Sequence, residues 1–251
     1  FNSWIHSNKY KQNLINYKDK NGKTPLMYAV LKGNTPMVEL LIKNSADVNI
    51  QDKNRNTALR YAAEKGKQHI VQLLINKGAD VNIQNECKNT PLMYAFAKRN
   101  INMMRLLIQN GADVNIKDKF GNTPLMYVFK ESDKYIVELL IENNANVDIQ
   151  NNYGKTPLMM KIKEGNEYMM RLLIQNGADV NKKNVYNDTP LILAVKKGNE
   201  YIVELLIENE ADVDKQDNNE KTALMYAAEI GNEDIVKLLI QNGADVDKKN
   251  N

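Results

Sequence analysis

The chain has little of what chemistry at a protein site usually requires. Its 251 residues include one cysteine, Cys87, and two histidines, His6 and His69. A single thiol cannot build an intramolecular disulfide framework, and its presence favours a reducing, cytoplasmic setting. The histidines lie far apart, with no cysteine or carboxylate at metal-ligand spacing, so neither a metal site nor histidine-based acid–base chemistry is expected. Cys87 has no histidine near it in sequence and reads as a tolerated loop residue rather than a nucleophile. No glycine-rich loop is placed to cradle phosphate. No apolar run approaches the roughly 20 residues that span a bilayer, and no signal peptide is visible. The net charge of +3 is too small to argue for nucleic acid or a membrane surface. The expectation is a protein that is no enzyme and carries no cofactor. The chain opens Phe1-Asn2-Ser3-Trp4 without an initiator methionine, so a piece of a longer protein is expected.

What the chain does have is a period. Thr-Pro-Leu, or Thr-Ala-Leu, recurs every 33 residues, at Thr24, Thr57, Thr90, Thr123, Thr156, Thr189 and Thr222. A fixed period of this length means a stack of small units, each touching its neighbours, rather than one globular core. Residues 187 to 219 show how a unit builds itself. Thr189 is suited to cap a helix, with Pro190 at the first helical position. Leu191, Ala194 and Val195 form a short apolar stripe. Gly198 supplies a left-handed stop and Asn199 a second cap. A second amphipathic helix follows from Tyr201 to Ile207, then Ala-Asp-Val-Asp and a polar turn. The glycines Gly78, Gly111, Gly177 and Gly243 fall where second helices end. A pair of such short helices cannot stand alone, so stacking must bury the apolar faces. Asn187-Asp188-Thr189 matches a glycosylation sequon, but its threonine is a helix cap.

With these residues in hand the chain resembles the ankyrin repeat family over about residues 19–251. The resemblance implies an all-α solenoid: helix-turn-helix units joined by β-hairpin-like loops, with a concave groove. Seven repeats are expected at approximately 21–53, 54–86, 87–119, 120–152, 153–185, 186–218 and 219–251, with 1–18 a partial repeat or capping helix. One departure is systematic. Where the ankyrin pattern usually places histidine stand Met27, Arg60, Met93, Met126, Met159, Ile192 and Met225, which keep the packing role and lose the hydrogen bonds. The resemblance also permits hydroxylation of Asn49, Asn82, Asn115 and Asn181. The last unit lacks a polar outer face, so a continued array or a packed neighbour is expected beyond Asn251.

In ankyrin proteins the loop tips and first helices line the groove where partners usually bind. Four residues after each threonine come Tyr28, Tyr61, Tyr94, Tyr127, Met160, Leu193 and Tyr226, opposite the buried stripe of the first helix. Duplication alone also explains such regularity. The tips are less regular: Asn21, Asn54, Cys87, Phe120, Tyr153, Tyr186 and Asn219. Three successive aromatics on exposed tips are not needed for packing, and rigid aromatic anchors dominate binding hot spots. Departures cluster in the same central units: Arg99 and Ser132 for the helix-ending glycine, Phe96 and Phe129 for small residues, and Lys161 where alanine packs, its stem able to snorkel. The expected centre of the site is Tyr94, Phe120, Tyr127, Tyr153, Met160 and Tyr186. A further stripe, Tyr135, Tyr168 and Tyr201, reads as packing where second helices begin.

Three variable tip positions and three first-helix positions in each unit carry thirteen lysines, among them Lys119, Lys130, Lys155 and Lys163, against six acids. That is +7 on these positions and −4 on the rest. The expected function is therefore a non-catalytic, monomeric protein-interaction scaffold that binds a partner protein with an acidic segment. The alternative is a targeting or substrate-recruiting arm of a larger enzyme whose catalytic domain lies outside these residues. Single-stranded nucleic acid is disfavoured, because glutamates interrupt the lysines and arginine is nearly absent among them.

Overall fold

In the computed structural model residues 14–128 and 133–247 are described. The capping segment expected over 1–18 lies outside these residues except for 14–18, and Phe129, Lys130 and Ser132 also fall outside. The chain forms two compact units, Phe1–Lys119 and Phe120–Asn251. The first holds α1 (Pro25–Lys32), α2 (Thr35–Lys43), α3 (Ala58–Glu64), α4 (Gln68–Asn76), α5 (Pro91–Ala97) and α6 (Ile101–Gln109). The second holds a 3-10 helix (Pro124–Tyr127), then α7 (Lys134–Glu142), α8 (Pro157–Glu164), α9 (Glu167–Gln175), α10 (Pro190–Lys197), α11 (Glu200–Glu208), α12 (Ala223–Ile230) and α13 (Glu233–Gln241). Among the described residues there is no strand.

At six of its seven positions the repeated threonine caps the first helix as its chemistry predicts. Thr24 accepts a hydrogen bond from Met27 N–H at 3.3 Å, and Thr57, Thr90, Thr156, Thr189 and Thr222 do the same three residues on. Proline at the first helical position sacrifices no bond. Gly33, Gly165, Gly198 and Gly231 then close first helices at positive φ. In the third repeat Arg99 is forced into that conformation at φ +53°. Second helices begin at Asn34, Asn100, Asn166, Asn199 and Asn232, each of which accepts a backbone N–H through its side chain.

Within each unit first helices pack on first helices and second on second, α1 on α3 on α5 and α8 on α10 on α12. The core is the row of residues caught between them, including Leu26, Leu59 and Leu92 in the first unit and Leu158, Leu191 and Val195 in the second. Polar residues repeat the joint outside the core. Asn49 accepts Asp80 N–H and donates to the Gly78 carbonyl, both 2.9 Å, and Asn82 and Asn181 make the equivalent pair with the following repeat. Asn16 accepts Asp47 N–H in the same register.

The loops meet at their tips. One backbone hydrogen bond joins each tip to the next: Lys53 N–H to the Asn21 carbonyl, Glu86 to Asn54, Lys119 to Cys87, and in the second unit Asn152 to Phe120, Val185 to Tyr153 and Asn218 to Tyr186. Gly154, one residue past its tip, shows how close the approach is. Its φ is +69°, and a Cβ there would lie 2.7 Å from Val185 N, whereas at Gly165, with the same φ, it would meet nothing within 4 Å. Gly165→Ala is therefore expected to cost the left-handed penalty alone, about 1–2 kcal/mol. Gly154→Ala should cost distinctly more, because backbone must move. Urea midpoints of the two variants check this, and equal shifts would show that the tips are not in close contact.

Candidate functional site

The tyrosine four residues after each threonine faces the loop of its own repeat. Tyr28 donates to Asp19 Oδ2 at 2.6 Å, and Tyr61 and Tyr226 donate likewise to Asp52 and Asp217. Asn85 donates to the Tyr94 hydroxyl at 2.9 Å, and Asn122 to Tyr127 at 3.1 Å. Asp52 accepts the backbone N–H groups of Asn54 and Asn56 through its other oxygen, and at the equivalent position the single amide oxygen of Asn151 accepts from Tyr153 and Lys155, and that of Asn184 from Tyr186 and Asp188. The tyrosine thus braces the turn that sets the tip. Where Met160 and Leu193 replace tyrosine, the turn residue is Asn151 or Asn184, which bonds to Asn122 or Asp188 instead.

This bracing decides which tyrosines a partner could reach. Tyr28 is exposed, at 44 %, whereas Tyr61 is buried, at 7 %. Tyr94, Tyr127, Met160 and Tyr226 are half-buried. The expected ladder is therefore not uniformly open, and Tyr61 is closed off by its neighbours. Lys23 Nζ lies 5.5 Å from its ring centre and the Arg60 guanidinium 4.1 Å; Arg60 also lies 4.6 Å from the ring of Tyr94. In the second unit Lys196 covers Tyr226 at 4.1 Å. The attraction of a cation to a ring face stiffens these rows as it hides them.

The tips are the accessible part. Phe120, Tyr153 and Tyr186 expose 47 %, 55 % and 59 %, with Val185 beside them also exposed. All four belong to the second unit, on tips joined by the backbone bonds given above. Of the stripe on the second helices, Tyr168 pairs with Lys134, and Tyr201 accepts a 2.6 Å bond from Arg171 Nε. Concavities on the described surface are shallow depressions, one of them between α4 and α6 lined by Gln68, His69, Gln72 and Arg105. Among the described residues no three His, Cys, Asp or Glu side chains converge as a metal would need, and no helix is long and apolar enough to cross a membrane.

Comparison with known proteins places this architecture. The family model for ankyrin repeats in three copies matches residues 4–85, 44–118, 92–184 and 180–250. The chain belongs to the ankyrin repeat family. Among solved structures it is similar to the ankyrin repeat domain of Bcl-3, described as a unique member of the IkappaB protein family. That match has a TM-score of 0.77 and 26 % identity, and covers 88 % of this chain and 100 % of that one. No curated protein sequence matches the chain. Ankyrin repeats are in general protein–protein interaction modules and are typically non-catalytic.

Two departures from the ankyrin pattern acquire a physical role. Arg60, in the usual histidine position, is buried at 7 % and held by Glu64 at 2.9 Å, and its Nε has no hydrogen-bond partner. Lys161, in an alanine position, does not snorkel to solvent. The first helix of its predecessor repeat is only the 3-10 turn Pro124–Tyr127, and Thr123 there is buried without a bond at its hydroxyl. Lys161, 1 % exposed, turns its ammonium to the Val128 and Met126 carbonyls and to Glu164 at 3.2 Å. Burial pulls its pKa below the ordinary lysine value despite Glu164, and pushes that of Glu164 up.

The charge count also changes in three dimensions. Several acids in it are engaged within the fold: Glu64 by Arg60, Glu164 by Lys161, Asp188 by Lys196 at 2.6 Å and Glu229 by Lys221 at 2.8 Å. The aspartates that brace the turns, outside the count, are engaged by tyrosine. Burial raises the Asp217 pKa, but the bonds from Tyr226, Lys221 and Asn219 outweigh it and hold that carboxyl below its ordinary value. Burial, then the bond to Asp52, raises the pKa of Tyr61 above 10.0. The neutral phenol is thus favoured by folding. Its contribution is complete below pH 10 and is lost as the pH rises through the raised folded-state value. Tyr61→Phe is expected to cost about 1–3 kcal/mol at neutral pH, because Asp52 loses a buried donor, and to remove that alkaline loss. Tyr28→Phe, at an exposed pair, should leave the urea midpoint nearly unchanged. Equal effects of the two substitutions would show that the bracing bond is not what matters.

Proposed function

We propose that this ankyrin chain is a non-catalytic recognition module that binds an acidic segment of another protein through its lysine-bearing tips and first helices. The observation that carries the reading is what remains after internal pairing. Among the described residues Lys20, Lys32, Lys53, Lys65 and Lys98 in the first unit, and Lys155, Lys163 and Lys197 in the second, form no ion pair. Of the counted acids in the described residues only Glu86 is left without one. In each unit most of the counted acids are used by the fold, while these lysines are left to the solvent. Such a field speeds encounter with a negative partner and selects against a positive one. In the second unit the exposed Phe120, Tyr153 and Tyr186 supply the apolar anchors that lysines alone lack. Half-buried Tyr94, Tyr127 and Tyr226 would add ring edges rather than whole rings, and Met160 part of its thioether side chain. Lys119 stands on an exposed tip of the first unit.

Lys32, Lys65 and Lys98 are exposed on successive first helices of the first unit, so reversing all three tests the charge reading without touching the core. Proteins captured by the immobilised chain should be retained at about 0.1 M salt and released as the screening length falls several-fold towards 1 M. The Lys32→Glu, Lys65→Glu, Lys98→Glu variant should retain about a tenth as much or less, since each lost contact weakens steering and attraction together. Retention that ignores both salt and the substitutions contradicts an acidic partner.

A further inference from the structure

The spacing of the aromatic tips in the second unit carries more than the presence of aromatics. Within each loop the chain folds back on itself, with Asn151 N–H bonded to the Lys155 carbonyl and Asn184 N–H to Asp188, both 3.0 Å. Between loops a second bond crosses from tip to tip, Asn152 to Phe120 at 3.0 Å and Val185 to Tyr153 at 3.2 Å. Passing from one tip to the next therefore crosses two hydrogen-bonded chain spacings. At about 4.8 Å each, the tips recur at about 9.6 Å. Phe120, Tyr153 and Tyr186 occupy the same position on three consecutive tips and are all exposed.

A ligand that meets all three must present side chains on one face at that interval. An extended β-strand does not: its same-face residues repeat at about 6.6 Å and about 13 Å. An α-helix offers residues seven apart at about 10.5 Å, a mismatch that grows to about 2 Å over two steps. A polyproline II helix has three residues per turn and rises about 3.1 Å per residue, so every third residue returns to the same face after about 9.3 Å. It also loses little conformational freedom on docking, and flat aromatic rings suit the rings of proline. Charge completes the match. Lys155 follows Tyr153 by two residues, and Lys163 and Lys197 lie in the last turns of the first helices that follow the tips, none of them in an ion pair among the described residues.

We propose that the Phe120, Tyr153 and Tyr186 tips dock a proline-rich, acidic segment in the polyproline II conformation, one residue in three resting against each successive ring. The carboxylates between the prolines would face Lys155, Lys163 and Lys197. This rests on the acidic-partner reading and adds to it a conformation and a register.

The test is fluorescence anisotropy with the full chain and labelled peptides of fifteen residues. One is five Pro-Glu-Ala triplets. A second has the same fifteen residues reordered so that no two prolines stand three or six apart. A third is the first with every glutamate replaced by glutamine. The triplet peptide should bind about tenfold or more tighter than the reordered one, the loss expected when one or two aromatic anchors are out of register. Tyr153→Ala with Tyr186→Ala should abolish that preference at an unchanged melting temperature. Equal affinity for the ordered and reordered peptides overturns the register while the acidic-partner reading stands. A preference that survives in the variant, or no binding of any peptide, overturns the proposal. Binding of the glutamine peptide as tightly as the glutamate one removes the acidic partner and leaves the ring spacing.

Discussion

A short helix pair has one apolar face too many, and only a near copy of itself, offset by 33 residues, can cover that face. Everything else in this protein follows from making that joint again and again. Within each unit the leucines after the threonines are buried where successive first helices pack together. Polar side chains guard the joint outside the core, and Asn49, Asn82 and Asn181 each accept an N–H from the next repeat and donate to its carbonyl. The glutamines Gln51 and Gln84 do similar work, each donating both within its loop and to the same position of the following one. Because the joint is local, stability in such a stack is close to a sum over neighbours. Irregular repeats are then tolerated if the neighbour compensates. The 3-10 turn at Pro124–Tyr127 leaves carbonyls that a full helix would have used, and Lys161 of the next repeat donates to them.

The same joint makes the surface. A loop tip in isolation would be mobile, and mobile aromatics pay an ordering cost on binding. Here the tips are held by the bond to the neighbouring tip, at Tyr153 and Tyr186 by the asparagine that accepts the backbone N–H groups of the turn, and in the repeats that carry the first-helix tyrosine by its hydroxyl. The first-helix tyrosines are therefore largely part of the support. The tip aromatics and the unpaired lysines are what the support presents.

Much of this was legible in the sequence because it depends on phase. The period, the threonine caps, the proline at the first helical position and the glycine stops require only local chemistry, and they appear where that chemistry places them. The exposure of Phe120, Tyr153 and Tyr186 could be read the same way. Spacing alone places the tyrosine ladder on an open groove, because it gives the face of a helix and not what the loop lays against it. A signal was present: Asp19, Asp52 and Asp217 each stand nine residues before a tyrosine, whereas Met160 and Leu193 follow Asn151 and Asn184. The burial of Tyr61 could not be read, since it depends on Arg60 reaching between two repeats. Nor could the destination of Lys161, because nothing local announces that the preceding repeat's helix ends after one turn.

The tips of the second unit form a hydrogen-bonded ladder rather than independent loops. Amide hydrogen exchange tests it directly. The Asn152, Val185 and Asn218 N–H groups, bonded to the Phe120, Tyr153 and Tyr186 carbonyls, should exchange far more slowly than an open loop allows, with protection approaching that of the neighbouring helices. Exchange of all three at the rate of an unstructured peptide would contradict the ladder and, with it, the fixed spacing of the aromatic rings.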